Sequence, residues 1–224
     1  HKIPVRKVLP VGKELIDHPF CGAAAFLKES NDGITDASML DLTGFFKSEW
    51  SKKNEPERGR DMQLAFYAQP PLEVLHRTAA RDLTTALLIR PSSSRYTLRG
   101  QLFTFVGRLV HALLTTTKVL DKKLKSVVSF GVVLNHPRSR GSLRLRSANP
   151  HDAPDIDLGL LSAPEDRRRL IEGIRKAARV FTQEPFKQRV AELDPKAKLA
   201  VEGSDADVEE VVLKYGGHAW HPVA

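Results

Sequence analysis

The sequence is poor in cysteine and has no long apolar run, and each absence excludes a class of protein. Cys21 is the only cysteine among 224 residues, so neither an intramolecular disulfide nor a cysteine-based metal site can form. A single cysteine is typical of a reducing compartment, and we expect a cytoplasmic protein. Arg108 and His111 interrupt the best apolar candidate, 102–114, which falls short of the roughly 20 residues of a membrane helix. We therefore expect no membrane span.

Familiar catalytic fingerprints are also missing. The sequence contains no G-x-G-x-x-G, P-loop, H-E-x-x-H or G-x-S-x-G pattern, so it carries no nucleotide, zinc-protease or hydrolase signature of its own. Of its eight histidines, only His218 and His221 lie close together, and no further ligand follows them at metal-binding spacing. We expect no metal site and interpret His218 as a surface or packing residue.

The charge is strongly positive. Lys and Arg number 35 against 27 Asp and Glu, a net charge of +8, which attracts anionic partners. The arginines of 138–146 share an even register, so those within one strand would project from one face; they are Arg138, Arg140, Arg144 and Arg146. No nucleic-acid-binding signature accompanies them. We interpret them as a solvated face or a face that docks on another domain, and a basic binding module stays the alternative.

Hydrophobic periodicity predicts a mixture of strands and helices. The residues are 41% hydrophobic, enough for a sizeable core. β-Prone runs predict strands at 20–27 and 61–67, and a hairpin-like pair at 129–134 and 142–147. We expect the strand at 61–67 and this pair to lie in one antiparallel sheet. The polar stretch 28–60 predicts a weakly structured, mobile lid.

Helical spacing predicts four helices. One covers 101–120. A second begins at a capping box formed by Ser162 and Glu165 and ends before Pro185. A short helix over 186–193 should stop at Pro195. The last helix runs from a Ser204 cap to glycines 216–217.

His221 is the histidine whose surroundings suggest chemistry. It lies between Trp220 and Pro222, and an apolar setting favours the neutral imidazole, which can accept a proton. A histidine beside a tryptophan is more often a structural residue than a base. The residues alone leave both roles open.

Three segments, in order, resemble the glucose–methanol–choline family of oxidoreductases. Residues 11–19, V-G-K-E-L-I-D-H-P, are similar to its V-G-x-N-L-x-D-H-P stretch, with Glu14 in place of the Asn. Residues 135–145, N-H-P-R-S-R-G-S-L-R-L, resemble its H-P-x-S-R-G-x-[VIL]-x-L segment. Residues 221–223, H-P-V, resemble the opening of its H-P-x-G-T segment, and 61–64 resembles one of its strands.

The resemblance implies an α+β fold: a large antiparallel β-sheet with helices packed on one side and its other side facing a flavin. A Rossmann-type FAD domain, absent from this chain, would hold that flavin. The implied division is a connecting segment from the FAD domain at 1–19, a substrate-binding domain at 20–217, and the start of the return to the FAD domain at 218–224.

The resemblance also implies a function. The chain would be the substrate-binding part of an FAD-dependent enzyme that oxidises an alcohol or sugar by hydride transfer to the flavin, and it would be inactive alone. His221 would be the catalytic base. The residues implied to lie at the cofactor are Gly12, Leu15, Asp17, His18 and Pro222. A hydroxynitrile-lyase-like member of the family is the alternative with the same fold.

Overall fold

A large antiparallel sheet forms the centre of the chain. The computed structural model describes residues 7–29, 42–68, 105–106, 126–219 and 222–223. The six-stranded sheet has the order β2-β3-β4-β1-β7, and β8 also pairs with β1. Its strands are β1 Pro19–Leu27, β2 Leu42–Phe46, β3 Met62–Tyr67, β4 Val127–Leu134, β7 Val190–Leu193 and β8 Gly217–His218. The strands predicted at 20–27, 61–67 and 129–134 are confirmed.

Helices cover one face of this sheet. They are α1 Glu49–Asn54, α2 Pro164–Val180, α3 Phe186–Arg189, α4 Pro195–Glu202 and α5 Asp205–Tyr215. Helix α2 packs against β1, β3 and β4, and α4 and α5 pack beside it. Alternate residues of β1, including Cys21, Ala23 and Ala25, are buried against these helices, and burial raises the pKa of the Cys21 thiol. The predicted α+β class with helices on one side is confirmed.

Helix α2 lies along the centre of the sheet because its apolar residues recur every three or four positions. Leu170, Ile174 and Ala177 are completely buried. The helix predicted here is confirmed, but its capping box is wrong: Ala163 is the N-cap and no side chain caps the helix. Pro164, with its fixed φ, occupies the first turn, which leaves Ser162 outside the helix.

Gly173 permits the close approach of α2 to the sheet. A Cβ at this position would lie 2.5 Å from Cγ1 of Val132 and 2.7 Å from Cε of Met62. We therefore expect Gly173→Ala to lower the free energy of unfolding by about 1–3 kcal/mol, the usual cost of overpacking, although alanine is the better helix former. Chemical denaturation measures this. Gly59→Ala, where a Cβ meets nothing within 4 Å, is the control, and equal stability of both variants would contradict the packing argument.

The hairpin predicted from 129–134 and 142–147 is wrong. Strand β4 stays in the large sheet, whereas β5 Ser142–Arg144 pairs with β6 Asp155–Asp157 in a separate two-stranded sheet. The backbone N–H groups of Arg138 and Ser139 donate to Asp166 at the start of α2. This anchor draws the chain away from β4 before β5 begins.

The expectation of a weakly structured excursion over 28–60 is wrong for its second half. Strand β2 pairs with β3 over its whole length. Ser48 caps α1 by accepting from Ser51 N at 3.1 Å, and it donates its Oγ–H to buried Asp61 at 2.7 Å. The β2–β3 pairing and the bond between Ser48 and Asp61, 13 positions apart, join separate segments of the chain, so local polarity did not predict them. The lid prediction for 30–41 falls outside the described residues, as does the helix predicted at 101–120 apart from helical Phe105 and Val106.

Beyond α2 the chain differs from the prediction over residues 186–195. Helix α3 has four residues, after which the chain becomes β7 and pairs with β1. Pro195 begins α4 instead of stopping a helix, and Asp194 caps it by accepting from Lys196 N at 3.2 Å. Proline fits the first turn of a helix. The last helix is confirmed, with Ser204 as its cap in a reciprocal box with Asp207.

Candidate functional site

Segments from the two ends of the chain and from its middle meet beside the first residues of β1. The backbones of Leu15 and Gly141 exchange hydrogen bonds of 3.2 and 2.8 Å, and those of Ile16 and Val223 exchange bonds of 2.7 and 2.8 Å. Strand β8 pairs with the first two residues of β1. The three segments that carry the family resemblance are therefore neighbours in the fold.

A buried carboxylate joins two of these segments. Asp17 is 2% exposed, and its Oδ1 accepts from the backbone N–H of His18 at 2.7 Å. Its Oδ2 lies 2.7 Å from Nδ1 of His218, whose side chain is one-third exposed. Our interpretation of His218 as a surface or packing residue missed this contact, because Asp17 lies 201 positions away along the chain.

Removing this carboxylate should loosen the site. We expect Asp17→Ala to cost about 1–3 kcal/mol of stability, because the part-buried N–H of His18 loses its acceptor, and to speed amide hydrogen exchange at Ile16 and Val223. Exchange followed by NMR measures both amides. Asp152→Ala, which removes an exposed carboxylate, is the control. Unchanged amide exchange in the Asp17 variant would mean that the contact between Asp17 and His218 does not hold the segments together.

Trp220 and His221 lie outside the described residues, whereas Ala219 before them and Pro222 and Val223 after them are placed. The N–H of Ala219 donates to His18 O at 3.1 Å. Two residues beyond His221, Val223 is fixed to Ile16. The chain on either side of position 221 therefore runs along the 16–18 segment.

Three of the residues predicted to lie at the cofactor have internal partners. Gly12 has φ +74°, and a Cβ there would lie 2.3 Å from Leu143 O, so its lack of a side chain serves the contact with β5. Leu15 is 4% exposed, and the Asp17 carboxylate is engaged as described. His18 is half-buried and Pro222 is exposed. Of this set, only His18 and Pro222 are not buried.

The segment H-P-R-S-R-G is held by one carboxylate of α2. Asp166 accepts from the backbone N–H of Arg138 at 2.9 Å and from that of Ser139 at 2.7 Å, and the Ser139 hydroxyl donates to it at 2.5 Å. Ala163 N donates to Ser139 Oγ at 3.1 Å. Arg138 and Ser139 of this motif therefore anchor the loop after β4 to the start of α2.

A buried arginine extends this anchor to the large sheet. The side chains of Arg169, Asp61 and Asp166 are all completely buried. Arg169 contacts Asp166 at 2.6 Å and Asp61 at 3.3 Å, and it donates to the backbone oxygen of His136 at 3.0 Å. Its guanidinium also lies 4.8 Å from the ring centroid of Trp50. One cation thus compensates two buried carboxylates, as burial of charge requires.

Two of the even-numbered arginines form ion pairs with carboxylates of distant segments of this chain. Arg138 pairs with Glu55 at short distance. Burial acts to raise the pKa of Glu55, but its contacts with Arg138 and Arg58 outweigh this, and the pKa lies below its ordinary value. Arg140 contacts Glu14 at 3.3 Å, so the residue that departs from the family motif has a partner.

The face of the large sheet opposite α2 is called here the open face, because none of the described helices packs on it. Residues paired across neighbouring strands point to the same side of a sheet, so the pairings show which residues form the open face. It consists of Phe20, Gly22, Ala24 and Phe26 on β1, Val127, Ser129, Gly131 and Val133 on β4, Gln63, Ala65 and Tyr67 on β3, and Thr43 and Phe45 on β2. The converging segments lie at the Phe20 end of this face.

Two further properties concern only the described part of the chain. No group of three or more His, Cys, Asp and Glu side chains there is arranged to bind a metal ion. Among the same residues, every helix is too short or too polar to cross a lipid bilayer.

A one-sided α+β sheet domain with these three segments at one end is the type found in flavoprotein oxidoreductases. Residues 137–224 match the family model of GMC oxidoreductases. This part of the chain matches the glucose–methanol–choline family, which confirms the resemblance seen in the sequence.

Curated relatives agree with this assignment. Glucose dehydrogenase [FAD, quinone] of Drosophila melanogaster is 35% identical over 131 residues, which cover 58% of this chain and 20% of that protein. Choline oxidase of Arthrobacter globiformis is 32% identical over 93 residues, 40% of this chain and 16% of that enzyme. Alcohol dehydrogenase [acceptor] of Pseudomonas putida is 41% identical over 69 residues, 29% of this chain and 12% of that enzyme.

Solved structures share the fold. Pyridoxine 4-oxidase from Mesorbium loti superposes with a TM-score of 0.62 at 12% identity, covering 96% of this chain and 32% of that one. Formate oxidase of Aspergillus oryzae gives a TM-score of 0.61 at 19% identity, covering 96% of this chain and 37% of that one. The chain thus spans between 12% and 37% of the length of these relatives.

Proposed function

We propose that the protein containing this chain oxidises an alcohol at its CH–OH carbon, with FAD as hydride acceptor, and that 20–217 form its substrate-binding domain. The segments 1–19 and 218–224 would lead from and to the domain that holds FAD. The observation that carries this proposal is the meeting of the 12–18 and 217–223 segments at one end of the open face.

His221 would act as the general base. When bound, FAD supplies the acceptor for the hydride that leaves the alcohol carbon. The hydroxyl proton passes to the imidazole of His221, so the alcohol becomes a carbonyl compound with all atoms accounted for. A base must lie within hydrogen-bond reach of the proton it removes. Ala219 and Val223, which flank this position in the sequence, both pair with the 16–18 segment, and this pairing supports the proposal.

His18 and Pro222 would contact the flavin from this chain. Both belong to the converging segments, and neither is buried. Gly12, Leu15 and Asp17 would contribute indirectly, by holding the loop in place. The hydrogen bond that the backbone N–H of His18 donates to the Asp17 carboxylate supports this division of roles.

The small sheet offers a surface for the FAD-binding domain. On one face of β5 and β6, Leu143 and Ile156 are register partners and are 36% and 54% exposed. Leu145, the residue after β5, is 72% exposed. A two-stranded sheet with an uncovered apolar face is marginally stable, and exposed apolar patches mark interaction sites. We propose that the FAD-binding domain covers this face.

Anaerobic mixing of the full-length flavoprotein with a panel of alcohols tests the proposed function. We expect the oxidised flavin absorbance to bleach with at least one alcohol and the matching carbonyl compound to form. Cleavage of a cyanohydrin without bleaching would instead identify a hydroxynitrile lyase. We expect the 224 residues alone to turn over no alcohol, because the sequence lacks a dinucleotide fingerprint. Turnover by this chain alone would refute that part.

A further inference from the structure

A side-chain contact joins the segment that enters β1 to the segment that leaves β8. Oδ2 of Asp17 lies 2.7 Å from Nδ1 of His218, and the Asp17 side chain is completely buried. Its other oxygen, Oδ1, accepts from the backbone N–H of His18, so both oxygens are engaged. An ionised carboxylate only accepts hydrogen bonds. The hydrogen of the contact with His218 is therefore on Nδ1 of the imidazole, and this sets the tautomer of the neutral ring.

His218 lies on the helix side of the sheet. It is the register partner of Pro19 in the β1–β8 ladder, whereas Phe20 pairs with Gly217. Paired residues point to the same side, and neighbours along a strand alternate. Pro19 and His218 therefore point away from the open face, to which Phe20 belongs, and Pro19 is buried. An effect of the His218 imidazole on the open face must pass through the backbone of its own segment.

Backbone contacts continue beyond this side-chain contact. Ala219 N donates to His18 O at 3.1 Å, and Val223 pairs with Ile16. Strand β8, which carries the histidine, has two residues, and so short a ladder gives little stability by itself. A hydrogen bond to an ionised carboxylate is stronger than one between neutral groups. The contact between the carboxylate and the imidazole therefore adds a strong tie where the backbone pairing is short.

This tie lies close in the sequence to the base of the proposed reaction. His221 follows His218 by three residues and precedes Val223 by two. Both of these flanking residues pair with the 16–19 segment. Loss of the tie at His218 would loosen the chain on one side of position 221. A misplacement of about 1 Å can slow a reaction by about 100-fold.

We propose that His218 is a positioning residue for the oxidation: the hydrogen bond from its Nδ1–H to Asp17 holds the segment that leads to His221 against residues 16–19. This inference rests on the proposed function. The ring contributes this donated hydrogen bond, and its Nε2 takes no proton from the alcohol. The two ring nitrogens of His218 therefore have separable roles, which substitutions can distinguish.

Two substitutions of His218 in the full-length, flavin-loaded protein test the proposal. Asparagine keeps a side-chain N–H donor near the position of Nδ1 and has no counterpart of Nε2, whereas alanine removes both nitrogens. We expect His218→Ala to slow flavin reduction by about 10- to 100-fold with unchanged flavin content, and His218→Asn to stay close to the unmodified rate. Anaerobic stopped-flow absorbance measures both. His151→Ala, which removes an exposed histidine outside the converging segments, is the control.

A double variant tests whether His218 acts through His221. The effects of residues that act as a unit are not additive. The double alanine variant should therefore reduce its flavin at about the rate of His221→Ala alone. Multiplication of the two losses would overturn the proposal. Equal slowing by His218→Asn and His218→Ala, or an unmodified rate in His218→Ala, would overturn it as well.

Failure of the inference and failure of the proposed function give different results. If no alcohol reduces the flavin, or if His221→Ala reduces it at the normal rate, the proposed chemistry is wrong, and NMR decides whether the tie exists. Nitrogen-15 spectra should place the hydrogen of the neutral His218 ring on Nδ1. Amide exchange at Ala219 and Val223 should be faster in His218→Ala than in His218→Asn. A hydrogen on Nε2 alone, or equal exchange in the two variants, would refute the tie.

Discussion

Replacing His221 by alanine in the flavin-loaded, full-length protein should slow flavin reduction by about two to four orders of magnitude, the usual contribution of a positioned general base. The hydroxyl proton of the alcohol would then have no side chain to accept it as the hydride leaves. The flavin spectrum and content should not change, because binding of FAD does not depend on this proton transfer. Stopped-flow absorbance under anaerobic conditions measures the reductive rate.

His151→Ala is the matched control, since His151 is exposed and lies outside the converging segments. We expect it to reduce its flavin at the unmodified rate. A normal rate of flavin reduction in His221→Ala would mean that His221 is not the general base. Loss of flavin from that variant would assign His221 a structural role instead.

Replacing Arg169 by alanine should give the largest loss of stability in the described part of the chain. The change leaves the carboxylates of Asp61 and Asp166 completely buried without their cation. Breaking such a network costs about 3–5 kcal/mol, which corresponds to roughly 6–20 °C in the melting temperature of a protein of this size. Differential scanning calorimetry measures the shift.

Arg168→Ala is the control on the same helix, because Arg168 is the exposed neighbour of Arg169. A surface change of this kind should alter stability by less than about 0.5 kcal/mol. Equal melting temperatures for the two variants would mean that the carboxylates find other partners. Retention of flavin reduction in a folded Arg169→Ala protein would confirm that the network stabilises the fold and takes no part in the reaction.

Local chemistry determined those elements that the sequence predicted correctly. Alternation of side chains specifies β3, a 3.6-residue spacing of apolar residues specifies α2, and the Ser204 cap with the following acidic turn specifies α5. The family resemblance likewise rests on short contiguous segments. Each of these signals lies within about 20 residues, so it can be recognised without knowledge of the partners.

Tertiary structure alone decided which strands pair and which side chains meet. The hairpin expected after β4 does not form because Asp166, 27 residues beyond Ser139, holds the intervening loop. Strand β7 replaces a predicted helical segment because the edge of β1 offers unpaired backbone groups.

The same holds for the site. His218 meets Asp17 across 201 residues. The sequence by itself determined the class of domain and its local elements, since these depend on short-range periodicity, capping and contiguous motifs. The fold decided the buried ion network, the converging segments and the open face, because burial and long-range register depend on contacts that no local pattern contains.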